Sequence, residues 1–343
     1  MNIFDIFDEA IFINASDIHI FVDSKPVIVV NRRFKYFGED IVSEPMIKNI
    51  LDDLSKNYTS QVGESIYEKV KNSCEEIDFS IEYVSGKSKK NTCENLKARF
   101  RFNLYKQKGE VALSIRVISC DIPDISALGY SEHIYDIISK RSGLILVTGA
   151  TGSGKSTTLA SIIDYINTNF EKHIITIEDP IEYVHTNKLS IVNQREVGQD
   201  TRSFCSGVRA SLRQNPDVIL IGEIRDEETM QTALRAAETG HLVFSTLHTG
   251  SAVKSLDRIL DMFNPSFHYQ IRTQIASVLE CIISQKLIIK EDKKFVVSEI
   301  MITTNAIRNL IRDGKFHQIN NFIQSGSKYG MKTMEQSLME IQK

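Results

Sequence analysis

GLILVTGATGSGKSTT, residues 143–158, is an apolar run that breaks into a glycine-rich loop and continues into helix-forming residues. Its residues 149–156 fit the phosphate-loop pattern G-x-x-x-x-G-K-[ST] at every fixed position. Small side chains let backbone N–H groups turn inward around phosphates. A buried strand at 144–148 and a helix at 155–167 supply the context that this loop requires, which disfavours an incidental glycine-rich turn. The predicted nucleotide contacts are Gly149, Ala150, Thr151, Gly152, Ser153, Gly154, Lys155, Ser156 and Thr157.

Two side chains of this loop have distinct predicted tasks. Lys155 is placed to reach the β- and γ-phosphates, and the Ser156 hydroxyl is placed to bind Mg²⁺. The sequence therefore predicts that ATP and Mg²⁺ bind at the start of a helix.

Bulk composition excludes several protein classes. The chain has 343 residues, 42% of them hydrophobic and 25% charged, and a formal charge of −3, so we expect a folded protein without a global field for nucleic acid. Its five cysteines form no C-x-x-C pair, which argues against a zinc site or a disulfide framework and favours a cytoplasmic protein. No run approaches a membrane span, and the acidic start lacks the basic region of a signal peptide. Any membrane association is expected to be peripheral.

Residues 1–120 predict a small α+β domain, with a helix near 44–56 and five short strands at 17–21, 27–30, 77–84, 97–104 and 110–118. The polar, basic stretch 85–95 is interpreted as a mobile loop, with a phosphate or lipid-headgroup contact as the minority alternative. On the strand that follows, Arg99 and Arg101 share one face and Phe100 and Phe102 the other. Taken alone, this alternation favours a half-buried strand with a solvated face.

A linker is predicted at 121–131, where Pro, Gly, Asp and Ser occur without a period. From 132 to 343 we expect a second domain, in which strands and helices alternate up to about 246 and form a parallel sheet covered by helices. Past 265 the pattern predicts mostly helix. Thr304 is expected to cap a helix over 305–312, and Thr333 with Gln336 is expected to form a capping box.

Acidic and histidine side chains follow the predicted strands of this second domain. IEDPIEY at 177–183 contains three carboxylates within five residues, and a simple acidic turn is the alternative interpretation. Glu223 follows an apolar strand, where an acidic group that orients water belongs. His248 ends a further strand, and a histidine in this position is as compatible with a structural role as with phosphate sensing.

Together, GATGSGKSTT, IEDPIEY, NQREVGQDT at 193–201, ALRAAETGHLVFSTLHT at 233–249 and ASDIHI at 15–20 resemble the secretion-type ATPases that drive type II secretion and type IV pili. AIRNLIR at 306–312 is similar to a signature of the pilus-retraction branch. The resemblance implies an α/β fold, with a PAS-like N-terminal domain joined to a RecA-like P-loop ATPase domain. It also implies a homo-hexameric motor that hydrolyses ATP with Mg²⁺ at the cytoplasmic face of the inner membrane, beside a pilus platform protein.

The same resemblance implies roles for individual residues. Glu223 would orient or activate water, Glu182 would be the functional carboxylate of the acidic segment and contact Mg²⁺ through water, and His241 and His248 would form a histidine box. In the family, segments similar to those around Arg99, Arg101 and Arg116 supply arginine fingers to a nucleotide. The resemblance therefore implies that these arginines contact a nucleotide rather than only solvent. The N-terminal domain departs from the family pattern after ASDIHI, where only Pro26 is kept.

Three other functions are compatible with parts of this sequence. An assembly or type II secretion ATPase would use the same site, and AIRNLIR argues against it. A nucleotide-dependent scaffold without turnover is disfavoured by Glu223, and a DNA-translocating ring by the near-neutral charge.

Overall fold

The computed structural model describes residues 2–31, 33–57, 64–73, 75–88, 95–119, 122–290 and 293–342. Its internal contacts divide the chain into two units, Met1–Asp121 and Ile122–Lys343. Each unit has its own sheet and its own buried core. The contacts group residues 122–131 with the second unit, and the assignment of 121–131 as a linker stays a prediction.

The first unit is a six-stranded antiparallel sheet with helices on one face. The sheet order is β3-β2-β1-β6-β5-β4. Its strands are β1 Asp17–Ile20, β2 Val27–Val30, β3 Arg33–Tyr36, β4 Ile77–Ser88, β5 Asn95–Gln107 and β6 Glu110–Ser119, and its helices are α1 Ile3–Phe12, α2 Glu44–Asn57 and α3 Glu64–Ser73. The sequence predicted α2 and five of these strands, but it missed α1, α3 and β3.

The alternation on β5 builds the core of this unit. Phe100 and Phe102 are fully buried, and the ring of Phe7 on α1 stacks on Phe100 with a centroid distance of 4.0 Å. The opposite face carries Arg99 and Arg101, as the period of two predicts. The ends of the predicted loop 85–95 belong to β4 and β5, which are longer than expected, and residues 89–94 lie outside the described part of the chain.

The second unit is a seven-stranded sheet with the order β13-β12-β7-β11-β10-β8-β9. Its strands are β7 Gly143–Thr148, β8 His173–Glu178, β9 Ile191–Glu196, β10 Val218–Ile221, β11 Leu242–Leu247, β12 Leu279–Lys290 and β13 Lys293–Ile302. Its helices are α4 His133–Ile138, α5 Lys155–Asn169, α6 Phe204–Ser211, α7 Glu227–Glu238, α8 Ala252–Asp261, α9 His268–Val278, α10 Asn305–Asp313, α11 Ile319–Ser325 and α12 Met334–Gln342. All neighbouring strands pair in parallel except β12 and β13.

Strand β7 lies inside this sheet and is buried on both faces. Leu144 and Leu146 point into one core cluster, and Ile145 and Val147 point into the other. This explains why the strand reads as a continuous apolar run rather than an alternating one. The predicted parallel sheet covered by helices is therefore confirmed.

The prediction of mostly helix past residue 265 is wrong in part, because β12 and β13 form an antiparallel hairpin there. The edge strand β9 was also missed, since its sequence IVNQRE is largely polar. Both capping predictions are confirmed. The Thr304 side chain accepts a hydrogen bond from the Ile307 N–H, and Thr333 and Gln336 exchange bonds of 2.9 and 3.2 Å. Within the described residues, no helix is both long and apolar enough to cross a membrane.

Candidate nucleotide site

The glycine-rich loop 149–154 turns directly from β7 into α5. Gly152 and Gly154 have φ values of 76° and 89°, a left-handed conformation that favours glycine. Gly154 is the N-cap of α5, a helix of 15 residues. The loop therefore lies against the positive end of a helix dipole, where backbone N–H groups bind phosphate well.

Lys155 folds back over this loop. Its Nζ atom donates to the carbonyl oxygens of Gly149 and Ala150 at 2.9 and 3.1 Å. Burial lowers the pKa of Lys155, and the nearby carboxylates of Glu223 and Glu182 oppose that shift. The buried Ser153 Oγ has no hydrogen-bond partner among the described residues. The Ser153 hydroxyl and the Lys155 ammonium are both groups that can bind a phosphate.

The acidic segment begins at the end of β8. Glu178 is fixed there, because its Oε1 accepts hydrogen bonds from Thr176 Oγ1 at 2.6 Å and from Gln194 Nε2 at 3.1 Å. Burial raises the pKa of Glu178, whereas these bonds oppose the shift. Glu182, four residues later, is exposed. The Tyr183 hydroxyl lies 2.9 Å from Thr157 Oγ1, so this segment is tied to the first turn of α5.

Glu223 lies two residues beyond the end of β10 and is held by two basic side chains. Its Oε1 contacts Arg225, and its Oε2 lies 3.4 Å from Nε2 of His248. The hydrogen bond to Glu223 raises the pKa of the Arg225 guanidinium. The Glu223 side chain is only 13% exposed. Its carboxylate therefore has a defined position at the carboxyl edge of the sheet.

The sheet order explains how these groups meet. Strands β7, β11, β10 and β8 are consecutive neighbours in the sheet and run parallel, so their carboxyl ends share one edge. Lys155, His248, Glu223 and Glu182 follow these four strands in that order. The crevice beyond the carboxyl ends is where open α/β sheets bind ligands.

His241 is not part of this cluster. It precedes β11 whereas His248 follows it, so roughly 20 Å of strand separates them. The His241 Nδ1 atom lies 2.9 Å from the Ala236 carbonyl oxygen and 3.2 Å from Thr239 Oγ1. Of these two histidines, His248 is the one that contacts Glu223 in the described chain.

The predicted arginine fingers lie in the first unit. Arg101 on β5 is directly opposite Arg116 on β6, and Arg116 is directly opposite Asp17 on β1. We call Asp17, Arg116 and Arg101 the arginine row. Arg116 Nε lies 3.3 Å from Asp17 Oδ1, and the Arg116 side chain remains 68% exposed. The strands thus bring two like charges together at the surface.

Some residues of the site escaped the sequence analysis. Arg225 had a local signal, since it lies two residues after Glu223, and it lines two cavities of about 290 and 330 Å³. Gln285 had none, because its strand β12 was not predicted. Its Nε2 atom donates to the Ser153 carbonyl oxygen at 2.9 Å.

The donor set also suits Mg²⁺. This ion keeps several waters and takes one or two protein oxygens beside those of the phosphates. Ser156 in the first turn of α5 and the exposed Glu182 offer such oxygens. In the part of the chain that the structure describes, no cluster of three or more His, Cys, Asp and Glu side chains could hold a metal by itself. The Ser156 hydroxyl and the Glu182 carboxylate fit an ion that phosphate oxygens also hold.

The chain is similar to known proteins over most of its length. A family model described as Type II/IV secretion system protein matches residues 2–315. The type IV pilus retraction ATPase PilT of Pseudomonas aeruginosa is 40% identical over 325 residues, which are 94% of this chain and 89% of that protein. A twitching motility protein of Neisseria gonorrhoeae is 45% identical over 268 residues, covering 78% of this chain and 69% of the relative.

Solved structures agree with the sequence comparison. The crystal structure of the pilus retraction motor PilT with bound ADP matches with a TM-score of 0.84 and 41% identity, over 99% of this chain and 93% of that one. That match extends the fold similarity through both units. The chain belongs to the type II/IV secretion system protein family.

Proposed function

We propose that this protein is a Mg²⁺-dependent ATPase whose hydrolysis cycle drives retraction of type IV pili. The observation that carries the proposal is the convergence of Lys155, Glu223, His248 and Glu182 on one edge of the sheet, behind a complete phosphate loop. The relatives named for pilus retraction and twitching motility support the cellular task, since they are 40% and 45% identical to this chain.

Each residue has a physical role in this proposal. The backbone N–H groups of residues 149–157 bind the phosphates, and Lys155 leaves the Gly149 and Ala150 carbonyls to contact the β- and γ-phosphates. Ser156 and, through water, Glu182 would hold Mg²⁺, which when bound would neutralise negative charge on the phosphate oxygens. Phosphoryl transfer depends mainly on such positioning and charge stabilisation.

Glu223 orients the attacking water. Arg225 and His248 fix the two carboxylate oxygens of Glu223, and His248 is placed beside it to respond to the γ-phosphate. A carboxylate held in one orientation aligns a water molecule for in-line attack without reorganisation during the reaction.

Arg101 and Arg116 act on the nucleotide of a neighbouring chain in a homo-hexamer. Two arginines directly opposite each other on paired strands repel, and Asp17 offsets only part of this charge. A phosphate group supplies the missing negative charge, and arginine is well suited to bind it. The ring would work on a platform protein at the cytoplasmic face of the inner membrane.

A steady-state assay of phosphate release, run with Mg²⁺ and with excess EDTA, tests whether the protein hydrolyses ATP. Light scattering measures the mass of the assembly under the same conditions. We expect hydrolysis with Mg²⁺, none with EDTA, and a hexamer in the presence of nucleotide. A wild-type protein that binds ATP without turning it over would instead support a nucleotide-dependent scaffold.

The cellular task needs a separate experiment, in which the gene is expressed in a host lacking its own retraction ATPase. Restored twitching supports retraction. Restored pilus assembly in an assembly-deficient host, without restored twitching, would support an assembly ATPase instead.

A further inference from the structure

Strand β12 approaches the backbone of the phosphate loop closely. The Gln285 carbonyl oxygen lies 2.4 Å from the position that a Cβ atom on Gly149 would occupy, and Gln285 Nε2 lies 3.3 Å from a Cβ built on Gly154. The Gln285 residue is itself 1% exposed. A glycine at 149 is therefore needed for this contact, and the Gln285 side chain lies against the loop.

The Gln285 amide is bonded at both ends. Its Nε2 donates to the Ser153 carbonyl oxygen at 2.9 Å, and its Oε1 accepts from the Tyr130 hydroxyl at 3.4 Å. The same hydroxyl lies 3.2 Å from Thr158 Oγ1 on α5. Burial raises the pKa of Tyr130 to about 12, so it remains a donor at neutral pH. With Thr158 donating to Tyr130, all three bonds run in one direction and fix the orientation of the amide.

The bond to Ser153 bears directly on phosphate binding. The Ser153 carbonyl and the Gly154 N–H belong to one planar trans peptide unit, so they point in opposite directions. Holding the carbonyl toward β12 turns the N–H away from β12, and this N–H is one of the loop donors that the proposed function assigns to phosphate. Residue 154 is a glycine with a φ of 89°, so its own side of this peptide has fewer steric restraints than any other residue would impose.

We infer that Gln285 is a positioning residue for the nucleotide phosphates, and that Tyr130 orients its amide. The inference rests on the proposed function, since it concerns the same phosphate loop. Because Gln285 bonds to the loop through the Ser153 carbonyl, we expect it to contribute to ATP and ADP binding rather than to the chemical step.

The decisive variant is Gln285→Met, which keeps the length and apolar stem of the side chain and removes its N–H donor. We expect ADP to bind roughly tenfold more weakly, the scale of one lost buried hydrogen bond, with a matching rise in KM for ATP and a smaller change in kcat. Calorimetric titration with ADP and Mg²⁺, together with steady-state kinetics, measures these values.

Ser284→Ala is the matched control, because Ser284 is buried on the same strand but bonds Thr148 Oγ1 at 2.8 Å rather than the loop carbonyl. It should lower the thermal midpoint without weakening ADP binding by more than about twofold. If Gln285→Met is folded and binds ADP within twofold of wild type, the inference is overturned.

Tyr130→Phe gives a second route should Gln285→Met not fold. It leaves the Gln285 donor in place but removes the hydrogen bond that orients the amide, so we expect a roughly threefold loss of ADP affinity. Unchanged affinity in a folded Tyr130→Phe variant contradicts the inference. A wild-type protein that neither binds ADP nor hydrolyses ATP would show that the proposed function has failed, rather than this assignment.

Discussion

The nucleotide site of the second unit and the arginine row of the first unit hold their charges in opposite ways. At the nucleotide site, Lys155 is bonded to two carbonyl oxygens, and Glu223 is 13% exposed between Arg225 and His248. In the arginine row, Arg116 contacts Asp17 and is still 68% exposed. Lys155 and Glu223, which are proposed to act within their own chain, are held by neighbouring groups, whereas Arg116, which is proposed to act on a second chain, is largely open to solvent.

The largest effect is expected from Lys155→Ala, which removes the cation from the site. Both ATP binding and hydrolysis should fall, with kcat/KM reduced on the order of 10³-fold or more, because a positive charge is lost from the phosphates. Phosphate release and ATP titration measure the two losses. Lys254→Ala, an exposed lysine on α8, is the control that should behave as wild type. Near-normal turnover without Lys155 would defeat the assignment of the whole site.

The next effect tests whether the arginine row belongs to catalysis at all. Arg101→Ala combined with Arg116→Ala should lower kcat on the order of 10³-fold or more, as loss of an arginine finger does, with little change in the thermal midpoint because the Arg116–Asp17 pair is largely exposed. Arg33→Ala with Lys35→Ala removes two exposed cations from another strand of the same sheet and serves as control. Equal rates in the two double variants would mean that the arginine row is a solvated face without a role in catalysis.

Mixing two inactive variants tests whether the arginine row of one chain acts at the nucleotide site of another. Lys155→Ala protein mixed with the Arg101→Ala, Arg116→Ala protein should regain part of the activity if subunits exchange, because some interfaces pair an intact loop with intact arginines. If subunits exchange freely and no activity returns, the arginines act in cis or all sites must be competent together. Activity that stays constant on dilution to the monomer would exclude the second explanation and the hexamer.

A smaller loss is expected from Glu223→Gln. The amide keeps the shape of the side chain but removes the charge that positions water, so kcat should fall about 10²-fold or more while ATP still binds. Rapid-quench kinetics measures the hydrolysis step, and a separate titration measures ATP binding. Glu227→Gln, in the exposed first turn of α7, is the matched control. A folded Glu223→Gln variant that cannot bind ATP would make Glu223 a binding residue instead.

The parts of this site that could be predicted depend on local chemistry. The phosphate loop requires glycine at fixed spacing, and acids after apolar strands fall at one edge of a parallel sheet, so Lys155, Glu223 and the acidic segment 177–183 are predicted from the residues themselves. The choice of Glu182 within that segment comes from the family resemblance. The alternation of Arg99 and Arg101 with two phenylalanines also predicts the two faces of β5 correctly, because successive side chains of a strand point to opposite faces.

What escaped prediction depends on contacts between distant segments. Apolar residues in LECIISQKLIIK, residues 279–290, fit a buried helix as well as a strand, and only pairing with β7 decides between them. Gln285 acquires its contact with the loop through that pairing. His241 and His248 are both close to β11 in sequence, yet the length of the strand separates them, which motif recognition alone does not reveal.

Stability offers a further contrast between buried and exposed charge. Glu280 in the second unit is only 10% exposed, and it contacts Lys140 and Arg308, the latter at 2.7 Å. Glu280→Gln would leave two cations beside a neutral amide, so we expect a loss of about 2 kcal/mol of unfolding free energy. This is below the cost for a fully buried pair because Lys140 is 42% exposed. Urea denaturation measures the loss, and a change under about 0.5 kcal/mol would contradict it.

The smallest effect is expected from Asp17→Asn in the arginine row. The Asp17–Arg116 pair is directly cross-strand, but the 68% exposure of Arg116 lets water and salt screen it, so the change in unfolding free energy should be about 0.5 kcal/mol. Urea denaturation at low and high salt measures this, and the difference from wild type should shrink as salt rises. Activity is the more telling measurement. Asn removes the competing carboxylate, so Arg116 should bind a phosphate of the neighbouring chain at least as well, and kcat/KM should not fall. A drop of tenfold or more in a folded Asp17→Asn variant would mean that Asp17 positions Arg116, in which case the arginine row is as tightly organised as the nucleotide site.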